Sequence, residues 1–257
     1  MSVNYSITKA SEQELKASFF KFYNHVYKTW IKLASTLQEK EAIELNDLEW
    51  FFKMEEKSNQ FKAHILDQCI WNISRCQPIA THLRFVIAIM YSINDLERMA
   101  DYIISSARYI HQHEIKEKSV INLLISTIST SVETMNKLIR QLKNPMNIKK
   151  NYLRAHKKTI ELAKAYRVEY NASLKKLSSF MFKQDTAQDI TDIMTGIAVI
   201  MKSAERNVDH AVNIIENFIY IRNADFFFDK KSKQELPSFD QVASQTLHLN
   251  KKSKTTK

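Results

Sequence analysis

Two carboxylate pairs are the residues of this sequence whose type and spacing could do chemistry. Glu97 and Asp101 stand four residues apart, as do Glu205 and Asp209, and each pair sits in the same local pattern, Glu-Arg-x-x-Asp. On a helix, positions i and i+4 share one face, so each pair sets two like charges side by side, which is unfavourable unless cations stand near. Divalent or ferric ions favour carboxylate oxygens in such an arrangement, and the pattern does not choose among iron, zinc, nickel and magnesium. A solvated helix face on which Arg98 or Arg206 neutralises its neighbours would look the same. Duplication weakens that plainer reading, because it would have to arise twice at matching places.

Other chemistries lack their residues. No glutamate has a histidine three positions on, as diiron chemistry in a helical bundle needs. His-Glu-x-x-His is absent, and His111, His113 and His210 lack the spacing of a zinc or metalloprotease site. No local signature marks a Ser-His-Asp or Cys-His nucleophile. Cys69 and Cys76 lie seven apart on one expected helix, which at about 1.5 Å per residue is too far for a disulfide; they read as buried free thiols. Neither catalysis nor an organic cofactor is expected.

The elements that must position the carboxylates follow from what the chain lacks. Its 257 residues include one glycine and three prolines, with 44% hydrophobic and 26% charged residues. Phosphate-cradling loops and tight hairpins need glycine, and Gly196 alone cannot supply them; it is expected at a close helix contact. The fold class is all-α. Apolar residues recur at helical spacing over about 11–38, opened by the capping-box-like Ser11-Glu12-Gln13-Glu14 and carrying Leu15, Phe19, Phe22, Val26, Trp30, Leu33 and Leu37. A second helix, about 41–76, carries Leu45, Leu48, Phe52, Phe61, Ile65, Cys69, Ile73 and Cys76 and ends before Pro78. Others span about 79–112, 115–142 (before Asn144-Pro145), 147–183 and 186–222.

Sliding the chain by 108 residues lays Leu96-Glu97-Arg98-Met99-Ala100-Asp101 over Ala204-Glu205-Arg206-Asn207-Val208-Asp209. Each copy falls in the third helix of its half, which predicts two tandem three-helix bundles, residues 10–113 and 114–228. Residues 229–257, Lys-rich and without apolar period, are predicted to be a disordered basic tail.

The +10 net charge is concentrated. Residues 143–183 hold 11 basic and 2 acidic side chains and residues 230–257 hold 7 and 2, leaving the rest at −4. No zinc-finger spacing, aromatic strand or basic zipper accompanies the stripe, which argues against nucleic acid. An anionic membrane surface is the other partner such a helix, 147–183, could meet. No run of 18 apolar residues and no signal-peptide pattern is present, so a cytoplasmic protein is expected, at most peripheral at the inner membrane face.

Arg75-Cys76-Gln77-Pro78-Ile79-Ala80-Thr81-His82-Leu83-Arg84, followed by Asn94-Asp95-Leu96-Glu97-Arg98-Met99-Ala100-Asp101, resembles the Gln-Pro turn and third-helix motif of the PhoU proteins, and Ala204–Asp209 with Asn213-Ile214-Ile215-Glu216 repeats the likeness. It spans about residues 10–228. The resemblance implies a cytoplasmic regulator of phosphate uptake and phosphate homeostasis, often a homodimer. It would bind the ATPase subunit of a phosphate ABC transporter, and a sensor histidine kinase where one exists, lowering uptake when phosphate is plentiful. It also implies metal ions held between paired motifs on neighbouring helices: Glu97 and Asp101 with Glu55 and Asn59 in the first half, Glu205 and Asp209 in the second. There the partner motif fails: Arg167-x-x-x-Asn171 puts a cation where the family has a carboxylate, and Ala165-x-x-x-Glu169 is the other candidate. A metal site in the first half and a weakened or absent one in the second is the expectation. Asn207 also departs from the apolar residue the family prefers. Rival readings are a helical carboxylate metal-storage protein or metal-dependent enzyme, and an adaptor unconnected to phosphate.

Overall fold

In a computed structural model, six long helices occupy the described residues, which are 5–113, 115, 117–143, 152–181 and 188–223. They are α1 (Tyr5–Lys40), α2 (Leu45–Trp71), α3 (Thr81–Gln112), α4 (Lys118–Lys143), α5 (Tyr152–Met181) and α6 (Gln188–Asn223); a π-helical turn, Asn72–Cys76, extends α2. There is no strand among the described residues. All six helices belong to one compact unit, Met1–Ala224. The break at Asn144-Pro145 and the tail 229–257 lie outside the described residues, and no described helix is long and apolar enough to cross a membrane.

Each helix is amphipathic, so burying its apolar stripe dictates the packing. Leu15, Phe19, Phe22, Val26, Trp30, Leu33 and Leu37 of α1 are all buried. They stand at the centre of the first three helices, where α1, α2 and α3 pack on one another; α4, α5 and α6 do the same, and α3 against α6 and α1 against α4 join the two sets. Ser11 does not open α1, which begins at Tyr5; it lies inside the helix, buried, and its hydroxyl donates to Asn72 Oδ1 on the π-helical turn. The α1–α2 connection instead carries the local signal: Glu44 N donates to Asp47 Oδ2 (3.2 Å), and Lys40 Nζ pairs with Glu44 and Asp47 at 2.7 and 2.9 Å.

The inward row of α2 is Leu48, Phe51, Ser58, Ile65 and Cys69. Leu45, Phe52 and Ile73, expected on the apolar face, are exposed instead. Phe51 takes the core position next to Phe52, and the Arg108 guanidinium covers the Phe52 ring at 5.3 Å from its centroid. Cys69 and Cys76 are free and buried, and burial pushes the Cys69 thiol up to about 12.

With one glycine in the chain, backbone turns fall to other residues. Glu41 (φ 57°), Gln77 (φ 45°) and Ala80 (φ 49°) hold positive φ, each at a cost of about 1 kcal/mol. Gly196 takes part in no turn. It faces Tyr109 across the α3–α6 packing, where a Cβ would lie 1.6 Å from Tyr109 Cζ, so the ring occupies the space a side chain would need. The Tyr109 hydroxyl donates to the Ile193 carbonyl at 3.4 Å. The expectation of a close helix contact at Gly196 is met.

Candidate functional site

Positions 55 and 62 continue the inward row of α2 at steps of three and four, and Glu55 and Lys62 fill them with charge. That row faces α3, which presents Glu97 and Asp101 on one face. Lys62 Nζ pairs with Glu97 Oε1 at 3.2 Å. Asp101 is partly buried, and burial together with the negative charges of Glu97 and Glu55 pushes its carboxyl up to about 6; Lys62 and Arg98 oppose this. Glu55, Glu97 and Asp101 are thus brought together electrostatically, while Asn59 is exposed.

The second half has the same scaffold and different occupants. Shifting α2 by 108 residues places Ala163 at the counterpart of Glu55, Arg167 at that of Asn59 and Tyr170 at that of Lys62. The contacts keep this register, since Tyr170 lies near Glu205 as Lys62 lies near Glu97. Arg167 Nη2 donates to Asp209 Oδ1 at 3.3 Å, Arg206 reaches Asp209 Oδ2 at 3.6 Å, and Lys202 pairs with Glu205. Burial, with Glu205 and Asp209 adding to it, holds the Tyr166 phenol above its ordinary range. At the 108-residue offset of the third-helix motif, Ala163 stands at the position of Glu55 and Arg167 at that of Asn59.

Asn207 is fully buried, and its Nδ2 donates to Ser131 Oγ of α4 at 3.0 Å. Ser131 in turn donates to the Ala204 carbonyl at 2.6 Å, and Asn207 Oδ1 is left without a partner. The departure from an apolar residue is thus a polar tie between α4 and α6.

The fit to a metal differs between halves. In the first, Lys62 pairs with Glu97 and Arg98 stands near, yet Asp101 still resists ionisation beside Glu97 and Glu55, a donor set that a divalent or ferric cation would relieve. In the second, Arg167, Arg206 and Lys202 already neutralise the pair. Among the described residues no three His, Cys, Asp or Glu side chains are drawn together tightly enough to hold an ion as they stand.

Between the halves, α3 and α6 run antiparallel. Arg84 Nε donates to the Ile221 carbonyl (3.1 Å), Asn217 Nδ2 to Ser92 Oγ (3.4 Å) and Asn213 Nδ2 to Asp95 Oδ1 (3.3 Å), while His210 Nδ1 meets Asp95 Oδ1 at 2.7 Å. Sequence reasoning quoted Arg84, Asp95 and Asn213 within motifs and weighed His210 as a metal ligand, but it passed over Ser92 and Asn217 and foresaw none of these contacts, whose partners lie more than a hundred positions away.

Paired three-helix sets with duplicated carboxylate motifs on their third helices define the class as a helical repeat protein of the PhoU fold. Residues 21–110 match the family model described as PhoU domain. It is 28% identical over 230 residues to "Uncharacterized protein MG409" of Mycoplasma genitalium, covering 88% of this chain and 99% of that one. It is 28% identical over 172 residues to the "Phosphate-specific transport system accessory protein PhoU homolog" of Pseudomonas aeruginosa, covering 66% and 67%. The crystal structure of the phosphate transport system regulatory protein PhoU from Streptococcus pneumoniae superposes with a TM-score of 0.61 at 22% identity, over 86% of this chain and 99% of that one.

Proposed function

We propose that this chain regulates phosphate uptake, binding the ATPase subunit of a phosphate ABC transporter and lowering transport when phosphate is plentiful. The single observation that carries the reading is its similarity to proteins named as phosphate transport accessory proteins. Those relatives are named as accessory proteins, and the proposed action here is protein binding through exposed helix faces, not catalysis. A sensor histidine kinase is a second partner of the same kind, and a homodimer is the proposed assembly.

Glu55, Glu97 and Asp101 give this mechanism a local element. A cation held there, with Lys62 displaced, would neutralise the face between α2 and α3 and fix the two helices together. Without it, the same face presents carboxylates to a basic partner. The α5 face, with exposed Lys157, Lys158, Lys164, Arg167, Lys175 and Lys176, has the opposite sign and suits an anionic leaflet on the cytoplasmic side, at about 1 kcal/mol per basic residue near the surface.

Deleting the gene and measuring phosphate uptake in phosphate-rich medium tests the regulatory reading, alongside affinity purification of the tagged chain from its own cells. Raised uptake and recovery of the transporter ATPase are expected. Unchanged uptake with no transporter subunit recovered would leave the adaptor reading in its place, and bulk iron uptake by the purified chain would favour metal storage.

A further inference from the structure

Between α4 and α5 lies a cleft of about 350 Å³ lined by Lys137, Arg140, Gln141, Lys158 and Leu162. Its size falls in the range of small-ligand sites. Lys137, Arg140 and Gln141 stand at i, i+3 and i+4 on α4, so all three point to the same side, and Lys158 and Leu162 form the opposite wall one turn apart on α5. The floor is fixed: Gln141 Nε2 donates to Thr159 Oγ1 at 3.4 Å, and the buried Thr159 donates to the Ala155 carbonyl at 2.9 Å.

No carboxylate lines the cleft. Lys137 shares its charge with Glu133 (2.8 Å), whereas Arg140 and Lys158 form no ion pair among the described residues. Three cations converging on one concavity repel one another, and an anion between them relieves that repulsion. The guanidinium fork of Arg140 matches two oxygens of a tetrahedral oxyanion, and lysines flank such groups as point charges. Leu162 is the one apolar lining residue and no aromatic ring is present, so the cleft offers nothing on which a base could stack.

We propose that the α4–α5 cleft binds a phosphoryl anion, gripped by Lys137 and Arg140 from α4 and by Lys158 from α5. The site lies apart from the carboxylates of α2 and α3 and does not depend on the regulatory reading. Free phosphate or pyrophosphate and a phospholipid headgroup share this chemistry.

The test titrates the full-length chain with inorganic phosphate and pyrophosphate by calorimetry, and with vesicles of phosphatidylglycerol against phosphatidylcholine by sedimentation. Three variants are compared: Arg140→Gln with Lys158→Gln, Arg140→Lys alone, and Lys53→Gln with Lys57→Gln at exposed positions of α2. Saturable binding is expected, weakened at least tenfold in the first variant, severalfold in the second and unchanged in the third. Because Arg140→Lys conserves charge at an exposed position, it reads the fork even if the double variant folds poorly. Saturation by free anion identifies a soluble ligand, and binding only to phosphatidylglycerol vesicles identifies a headgroup; either supports the proposal. No saturable binding to any probe, equal loss in the Lys53/Lys57 variant, or tighter capture of single-stranded RNA than of pyrophosphate through the same residues would overturn it.

Discussion

Tyr102 and His210 occupy matching places in the two halves, 108 residues apart, and they touch: their ring centroids lie 5.7 Å apart and the Tyr102 hydroxyl is 3.4 Å from His210 Nε2. Equivalent residues of a repeat meet only near an axis that exchanges the repeats. The antiparallel α3–α6 contact is therefore an approximate two-fold, with each Glu-x-x-x-Asp pair immediately beside it in sequence.

The two pairs should differ in their use of cations. Chelator-stripped protein titrated with Zn²⁺, and separately with Mg²⁺, is expected to bind in the parent and in Glu205→Ala with Asp209→Ala, and to lose binding in Glu97→Ala with Asp101→Ala. Equal loss in both would sink the assignment. Lys62→Ala, which removes the competing cation from Glu97, should tighten binding about fivefold, equivalent to about 1 kcal/mol for a surface ion pair.

Asp101 makes stability depend on pH in a definite direction. Its folded pKa of about 6 lies above the 3.8 of a free aspartate, so the folded state favours the neutral acid. That contribution is present below about pH 4 and is lost as pH rises through 6. Asp101→Asn in chelated buffer should be more stable than the parent at pH 7.5, by about 1 kcal/mol after allowing for solvent screening. Urea unfolding at pH 7.5 and pH 4 reads this, with the gap closing at the lower pH; a pH-independent gap would contradict it.

Gly196→Ala forces Tyr109 out of its place, because the added methyl falls on the ring. Overpacking of this kind costs about 2 kcal/mol, or roughly 5 °C in Tm for a chain of this size. Pairing it with Tyr109→Ala should remove the clash, so that the double variant falls short of the sum of its parts. Strict additivity in thermal unfolding would count against the contact.

Asn207→Leu replaces a buried amide whose oxygen has no partner, and Ser131 keeps its bond to the Ala204 carbonyl. The substitution removes the unpartnered amide oxygen together with the donor to Ser131 Oγ, and these opposing effects should leave stability within about 1 kcal/mol of the parent. Chemical denaturation measures it, and a loss beyond 2 kcal/mol would show that the amide is required.

Periodicity was informative where one face alone meets the core. The α1 stripe from Leu15 to Leu37 is buried as its spacing predicts. On α2 the true inward row includes Glu55 and Lys62, so an apolar pattern drawn through Leu45 and Phe52 selected the wrong side; charge in a core-facing row defeats a hydrophobicity count. The carboxylate pairs were legible because their residues are local. The cations that answer the second pair were legible only in part: Arg167 was noticed as a departure, but its place opposite Asp209 depends on helix register across 42 residues. Ser92 and Asn217 carried no local signal at all.

The seam between α3 and α6 also bears on how such a molecule can change. Where two identical subunits meet on a two-fold axis, every substitution appears on both sides at once, and a change that cancels one carboxylate pair cancels both. A single chain with two similar halves is released from that constraint. Ala163 and Arg167 alter one copy, Glu55 and Lys62 stay in the other, and the molecule acquires a direction that its architecture alone would not give it.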